Sequence, residues 1–325
     1  MPTFLKYLLY YEGVKRYNRS ILICSGAKWN NKRKTGNTAV NRWKKIGLIV
    51  NKDRDQDLIQ TKHVTGRLLE KGFEVFTGIL EEGYKFNPPD SGDNIFTQCD
   101  LIICVGGDGT FLKTAREAYP HKKPILGINK GSVGFLAEVE IREIDTAVER
   151  IAGGFVTIQP RMVLEVSVIR NQKVVFKDVA INDAVVSRMP MARILRLKVR
   201  LDSQFVDSFP GDGIIVSTPT GSTGYTLSAG GPIVQQDMRM FIISPICPHI
   251  LYSRSFIASE DKKVFVELEE GSFPRAMLTL DGQIGFELEG GDKVMVATAP
   301  ENVLFASVCP TNFYEVLRDK IHNSI

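Results

Sequence analysis

The chain has 325 residues, 43% hydrophobic and 24% charged, which suits a folded protein of two domains. No run approaches the eighteen or so consecutive apolar residues of a membrane span, and four scattered histidines with five cysteines that form no CxxC pair exclude a zinc site by spacing. The net charge of +4 is a surplus of the first 45 residues, where eleven Lys/Arg face the single acid Glu12; the remainder holds 30 basic and 36 acidic residues.

The basic segment 1–44, with "KWNNKRKTGN", shows no clean helical stripe and is expected to be a disordered extension. A nucleic-acid or membrane-surface contact is conceivable for this tail alone. Strand patterning begins at Lys45 with "KIGLIVN", a short apolar run read as a buried strand. "DLIQTKHVTGRLLEKG" follows, with acids near its start and Lys71-Gly72 at its end, the polarity a helix prefers. "FEVFTG", "DLIICVG" and "PILGIN" read as strands, "GTFLKTAREAY" and "IREIDTAVERIAGG" as helices. Strand–helix alternation over 45–152 predicts a Rossmann-like α/β domain with a parallel sheet.

Beyond Gly154 the period changes to two. "VLEVSVIRNQKVVF" alternates across a turn at Asn171-Gln172, and "RILRLKVRLD" puts Leu195, Leu197, Val199 and Leu201 on one face. "KVFVELEE" and "FELEGGDKVMVATA" repeat the pattern, so 153–302 is expected to be a mostly antiparallel β domain. Residues 303–325 end in a helical pattern expected to fold back on the first domain. The cysteines 24, 99, 104, 247 and 309, without a secretory leader, point to a reducing, cytoplasmic compartment.

Two stretches carry chemistry. Gly106-Gly107-Asp108-Gly109-Thr110 joins a strand to a helix, where unpaired amides and the positive dipole end suit phosphate. It lacks both the GxGxxG spacing and the Lys-Ser/Thr of a Walker loop. A tight turn capped by Asp108 accounts for it equally well, with Lys113 one turn further on. The stronger stretch is "GDGIIVSTPTGSTGYTLSAGGPIV", with eight hydroxyl side chains between Ser217 and Ser228, stiffened by Pro219 and Pro232. It reads as a rigid loop that offers donors to a polyol or nucleotide. Asn182-Asp183 and "LDGQIGF", with Asp281 and Gln283, are each no more than turn signals by themselves.

The order GGDGT, Asn-Asp, GDG…STPTGSTGY…SAGGPI, "SPICPH", DGQ resembles the NAD kinases over roughly residues 45–320. GGDG alone is shared with diacylglycerol-type lipid kinases; STPTGSTGY singles out the NAD kinases. The resemblance implies transfer of a phosphoryl group from ATP or polyphosphate, with Mg²⁺, to the adenosine-ribose 2′-hydroxyl of NAD. It implies that Asp108 accepts that hydroxyl's proton and that Gly109, Lys113, Asn182, Asp183, Arg193, Asp212, Gln283 and the run Thr223, Gly224, Tyr225, Thr226, Leu227, Ser228 contact NAD. Gly106, Gly107, Gly109 and Thr110 then face the donor phosphates, no protein side chain binds the metal, and the protein works as a homodimer or homotetramer. Gly224 and Thr226 stand where the family usually has Ala and Ser. A lipid kinase and a dinucleotide sensor without catalysis are the competing readings. Comparing NADP formation and salt-dependent binding to polyanions with and without residues 1–44 tests whether the tail takes part.

Overall fold

The computed structural model describes residues 43–51, 55, 58–80, 86–87, 94–129, 134–190, 193–250, 254–269, 276–308 and 313–322, all within one unit spanning Ala39–Ile325. The basic extension up to residue 42 lies outside the described residues. Trp43, just ahead of the first strand, is already buried in the core.

The α/β part runs β1 (Lys45–Asn51), α1 (Ile59–Glu70), β2 (Glu74–Leu80), β3 (Phe86–Asn87), α2 (Ile95–Gln98), β4 (Leu101–Val105), α3 (Asp108–Ala118), β5 (Ile125–Asn129), β6 (Val139–Glu140), α4 (Ile144–Ala152) and β7 (Thr157–Arg161). Its sheet has the order β3-β2-β1-β4-β5-β20-β7 with β6 on β5, where β20 (Val303–Ser307) returns from the far end of the chain. All five residues of β4 are buried, as a parallel strand covered on both faces requires. Alternation along the strands divides the two cores: Ile46, Leu48, Leu101 and Ile103 meet α1 and α4, while Ile49, Ile102, Cys104 and Ile125 meet α2 and α3. The strand order reverses between β1 and β4, the place where open α/β sheets leave a crevice at their carboxyl ends.

The β part continues with β8 (Leu164–Arg170), β9 (Lys173–Ala180), β10 (Asp183–Arg188), β11 (Leu195–Leu201), β12 (Gln204–Gly211), β13 (Gly213–Ser217), α5 (Tyr225–Ser228), β14 (Met240–Ile246), β15 (Phe256–Ser259), β16 (Val264–Leu268), β17 (Ala276–Leu280), β18 (Ile284–Leu288) and β19 (Lys293–Thr298). Two antiparallel sheets, β15-β14-β13-β10-β17-β18 and β12-β11-β16-β19-β8-β9, enclose a shared apolar core. Leu195, Leu197 and Val199 point into it at 0% exposure, as their alternation with Arg196 and Lys198 predicts. Asn171 and Gln172, at φ 50° and 62°, make the turn expected of them. The hydroxyl-rich stretch departs from an open loop: Thr220–Thr223 form a 3₁₀ turn and Tyr225–Ser228 one helical turn. Its side chains supply the bonds that such short turns lack, Ser222 Oγ meeting both the N–H and the carbonyl of Val234. The last described helix, α6 (Phe313–His322), reaches the 235–239 loop through Tyr314 and Gln235.

One buried ion pair ties the two parts together. Arg116, two turns along α3, bonds Asp281 Oδ2 at 3.2 Å, Asp178 Oδ1 at 3.1 Å and the carbonyl of Val179. The Asp281 side chain, fully buried, also accepts the backbone N–H groups of Ile181 (2.9 Å), Asn182 (2.7 Å) and Asp183 (3.1 Å). Arg116→Met leaves that carboxylate without its cation and is expected to cost about 3–5 kcal/mol, read from urea unfolding.

Candidate active site

The glycine turn after β4 delivers Asp108 as the first residue of α3, with Gly107 as its cap. The carboxylate is turned toward the segment that leads into β6: Oδ2 accepts from Phe135 N–H at 3.1 Å, and Oδ1 from Leu136 and Ala137 N–H at 3.3 and 3.4 Å. Glycine is needed at 134, because a Cβ there would lie 2.0 Å from Asp108 Oδ1. Thr110 is buried and its hydroxyl accepts from Asn51 Nδ2 at 3.2 Å, which links the turn to the end of β1. Lys113 is largely buried and pairs with Glu117 at 3.3 Å.

From the β part, Gln283 in the β17–β18 hairpin reaches back to α3 and donates to the Gly109 carbonyl at 3.2 Å. Asp281 and Gly282 in this hairpin have φ of 52° and 65°. Asn182 and Asp183 lie at the head of β10, their amides fixed by Asp281 and the Asn182 carbonyl by Ser217 Oγ (3.0 Å) and Thr218 N–H (2.9 Å). Gly221 approaches the same carbonyl so closely that a Cβ would sit 2.3 Å from it. Gly224 covers the pair; a Cβ there would meet Asn182 Nδ2 at 3.6 Å and Asp183 Oδ2 at 3.9 Å but the Gly221 carbonyl at 3.3 Å, so the alanine usual in the resembled family needs a small shift of that turn. Asn182 Oδ1, Gln283 Oε1 and Thr226 Oγ1 are buried without a hydrogen-bond partner. Orphaned polar atoms such as those of Asn182 and Gln283, beside the Asp281 hairpin, are what a polar ligand satisfies.

Asp108, Gly109, Gln283, Asn182, Asp183 and Gly224 are thus joined through one network of contacts. Thr223 bonds within its own turn, Thr226 is buried, and Tyr225, Leu227 and Ser228 are exposed. Asp212 and Arg193 lie elsewhere. Asp212 pairs with Arg188 Nε at 2.6 Å, and β10 pairs Asp183 with Ser217 but Ser187 with Gly213. At ~3.3 Å per residue, the step along β10 from Asn182 to Arg188 puts Asp212 about 20 Å from Asn182. Arg193 is exposed just ahead of β11. Arg116 and residues 134–137 escape a reading of the sequence, and Asp281 is legible there only as part of the turn before Gln283. A cavity of about 530 Å³ formed by Gln159, Arg161, Gln235 and Phe313, among others, contains none of the predicted residues.

Burial, reinforced by the charge of Asp281, raises Asp183 to a pKa of about 7. An unfolded aspartate titrates near ~4, so between these values the folded chain holds a proton that the unfolded chain lacks. Stability therefore falls as pH rises from about 4 through about 7. Asp183→Asn is expected to flatten that part of the profile, measured as urea midpoints against pH.

Residues 46–155 match the family model for the ATP-NAD kinase N-terminal domain, and residues 181–308 that for the ATP-NAD kinase C-terminal domain. An NAD kinase of Acetivibrio thermocellus is 42% identical over 284 residues, spanning 86% of this chain and 97% of the relative. One of Ruminiclostridium cellulolyticum is 43% identical over 280 residues, 86% and 98% of the two chains. Among solved structures, an Archaeoglobus fulgidus NAD kinase in complex with ATP superposes with a TM-score of 0.64 at 25% identity, covering 85% of this chain and 97% of that one. A yeast NADH kinase complexed with NADH shares the fold, with a TM-score of 0.73 at 20% identity over 86% and 88%. With both domains matched in order over most of its length, this chain belongs to the NAD kinase family.

Proposed function

We propose that the chain transfers the terminal phosphoryl group of ATP to the adenosine-ribose 2′-hydroxyl of NAD, with Asp108 as the group that receives and orients the hydroxyl. The observation that carries this is the single network joining Asp108 on α3 to Asn182 and Asp183 on β10, through Gln283–Gly109 and Arg116–Asp281. Asn182 and Asp183 hold the adenosine portion, using the unpartnered Asn182 Oδ1 and the Asp183 carboxyl. Thr223 to Ser228 line the dinucleotide pocket with Lys113 beside it, and Gly106, Gly107, Gly109 and Thr110 face the donor.

Phosphoryl transfer depends on positioning and charge neutralisation more than on covalent help from the protein. The 2′-oxygen attacks the terminal phosphorus, its proton passes to Asp108, and the bond to the bridging oxygen breaks as ADP leaves. Mg²⁺ enters with ATP as part of the substrate. Among the described residues no group of three His, Cys, Asp or Glu side chains is arranged to hold a metal ion.

Asp212 and Arg193, remote from Asn182 in their own chain, contribute in this reading to the NAD pocket of a second copy, which makes the enzyme a homo-oligomer. Among the described residues no helix is long and apolar enough to cross a membrane. Free thiols at Cys99, Cys104 and exposed Cys247 accord with a reducing compartment such as the cytoplasm.

The test is NADP formation from NAD, ATP and Mg²⁺. Asp108→Ala is expected to lower turnover by about 10²–10⁴-fold while NAD affinity changes far less; near-normal turnover in that folded variant refutes the assignment.

A further inference from the structure

Asp108 meets an arrangement that its role as proton acceptor does not require. Three consecutive backbone N–H groups, of Phe135, Leu136 and Ala137, converge on its two oxygens. The turn that aims them is held by Gly134 N–H on the Ala137 carbonyl at 3.2 Å and by Gln236 Nε2 on the Phe135 carbonyl at 3.5 Å. Successive amides pointing at one spot form a concave anion site. Here the anion is the protein's own carboxylate.

We propose that residues 135–137 form the cradle for the terminal phosphoryl group of the donor, and that Asp108 occupies it as a stand-in until the donor arrives. The inference rests on the reaction proposed above and adds the seat of the reacting phosphorus. In that reaction the phosphorus must come within about 3–3.5 Å of the acceptor oxygen, and the acceptor oxygen must touch Asp108. The incoming group therefore lies within reach of whatever Asp108 itself touches, and these three amides are donors it touches. Phosphoryl oxygens accept the same bonds as a carboxylate and carry more charge. They displace it, and the carboxylate turns to the ribose hydroxyl. The amides then face the equatorial oxygens over which transition-state charge spreads. The exchange also spares the site two anions on one set of donors. Gly134 has its place in this scheme, since a side chain there would exclude the stand-in.

The test uses inorganic tripolyphosphate without metal, followed through the amide resonances of Phe135, Leu136 and Ala137 in the wild-type chain, Asp108→Asn and Asp108→Ala. Those three resonances are expected to shift. Affinity should rise from wild type to Asp108→Asn and again to Asp108→Ala, by about tenfold in all. The second step is decisive, because an asparagine oxygen still accepts from the N–H groups and an alanine cannot. Repulsion between charges alone would make the two variants equal. Equal affinity in the two variants, or shifts that leave residues 135–137 unmoved, overturns the proposal. Wild-type NADP formation is assayed in parallel: its absence counts against the reaction, whereas activity with silent amides counts against the cradle alone.

Discussion

Everything at the crevice depends on the burial of Asp281. A carboxylate removed from water is costly unless its lone pairs and its charge are both answered. Three successive amides of residues 181–183 answer the first need and the Arg116 guanidinium the second. The amides belong to the head of β10 and the guanidinium to α3, so satisfying one side chain sets the distance between the two halves of the site. Nothing in the chemistry of phosphoryl transfer touches Asp281. Its contribution is geometric: in the proposed reaction it holds Asn182 and Asp183 in register with Asp108, as pre-organised catalysis requires.

Two further carboxylates in the same crevice meet opposite surroundings. Asp108 lies part-buried at the start of a helix and accepts from three amides. Asp183 is buried beside the ionised Asp281 and is held toward its neutral form. A neutral carboxyl is both donor and acceptor, which in the proposed reaction suits Asp183 to the adenosine portion, while Asp108 orients the reacting hydroxyl. Residues of one type thus take different parts through placement alone.

Much of this architecture was legible in the sequence because it rests on periodicity. The change from helical period to period two near Gly154 separates the parallel sheet from the sandwich, and Leu195, Leu197 and Val199 turn inward as alternation demands. Asp108, Asn182 and Gln283 could be picked out because they stand in short motifs whose order is informative. Arg116 could not: it is one more charged residue on an amphipathic helix, and its partner is distant in the chain. The amides of 135–137 could not either, since backbone N–H groups carry no sequence signature and only the fold brings them to Asp108. Asp212 shows the converse: it pairs with Arg188, at the far end of β10 from the Asn182–Asp183 pair it was grouped with.

The return of β20 to the first sheet bears on how the protein is made. β5 is parallel to β20, Ile125 lying opposite Phe305, and β7 joins the sheet only by pairing with β20. During synthesis the α/β layer therefore emerges with a missing strand: β6 covers the Ile128–Asn129 end of β5, while the Ile125 end waits for β20 until nearly the whole sandwich has been translated. Unpaired edges invite association with other chains, and contacts this distant in sequence slow folding. Nascent chains are thus most vulnerable between emergence of β5 and arrival of β20, which makes this the interval in which a chaperone would be needed.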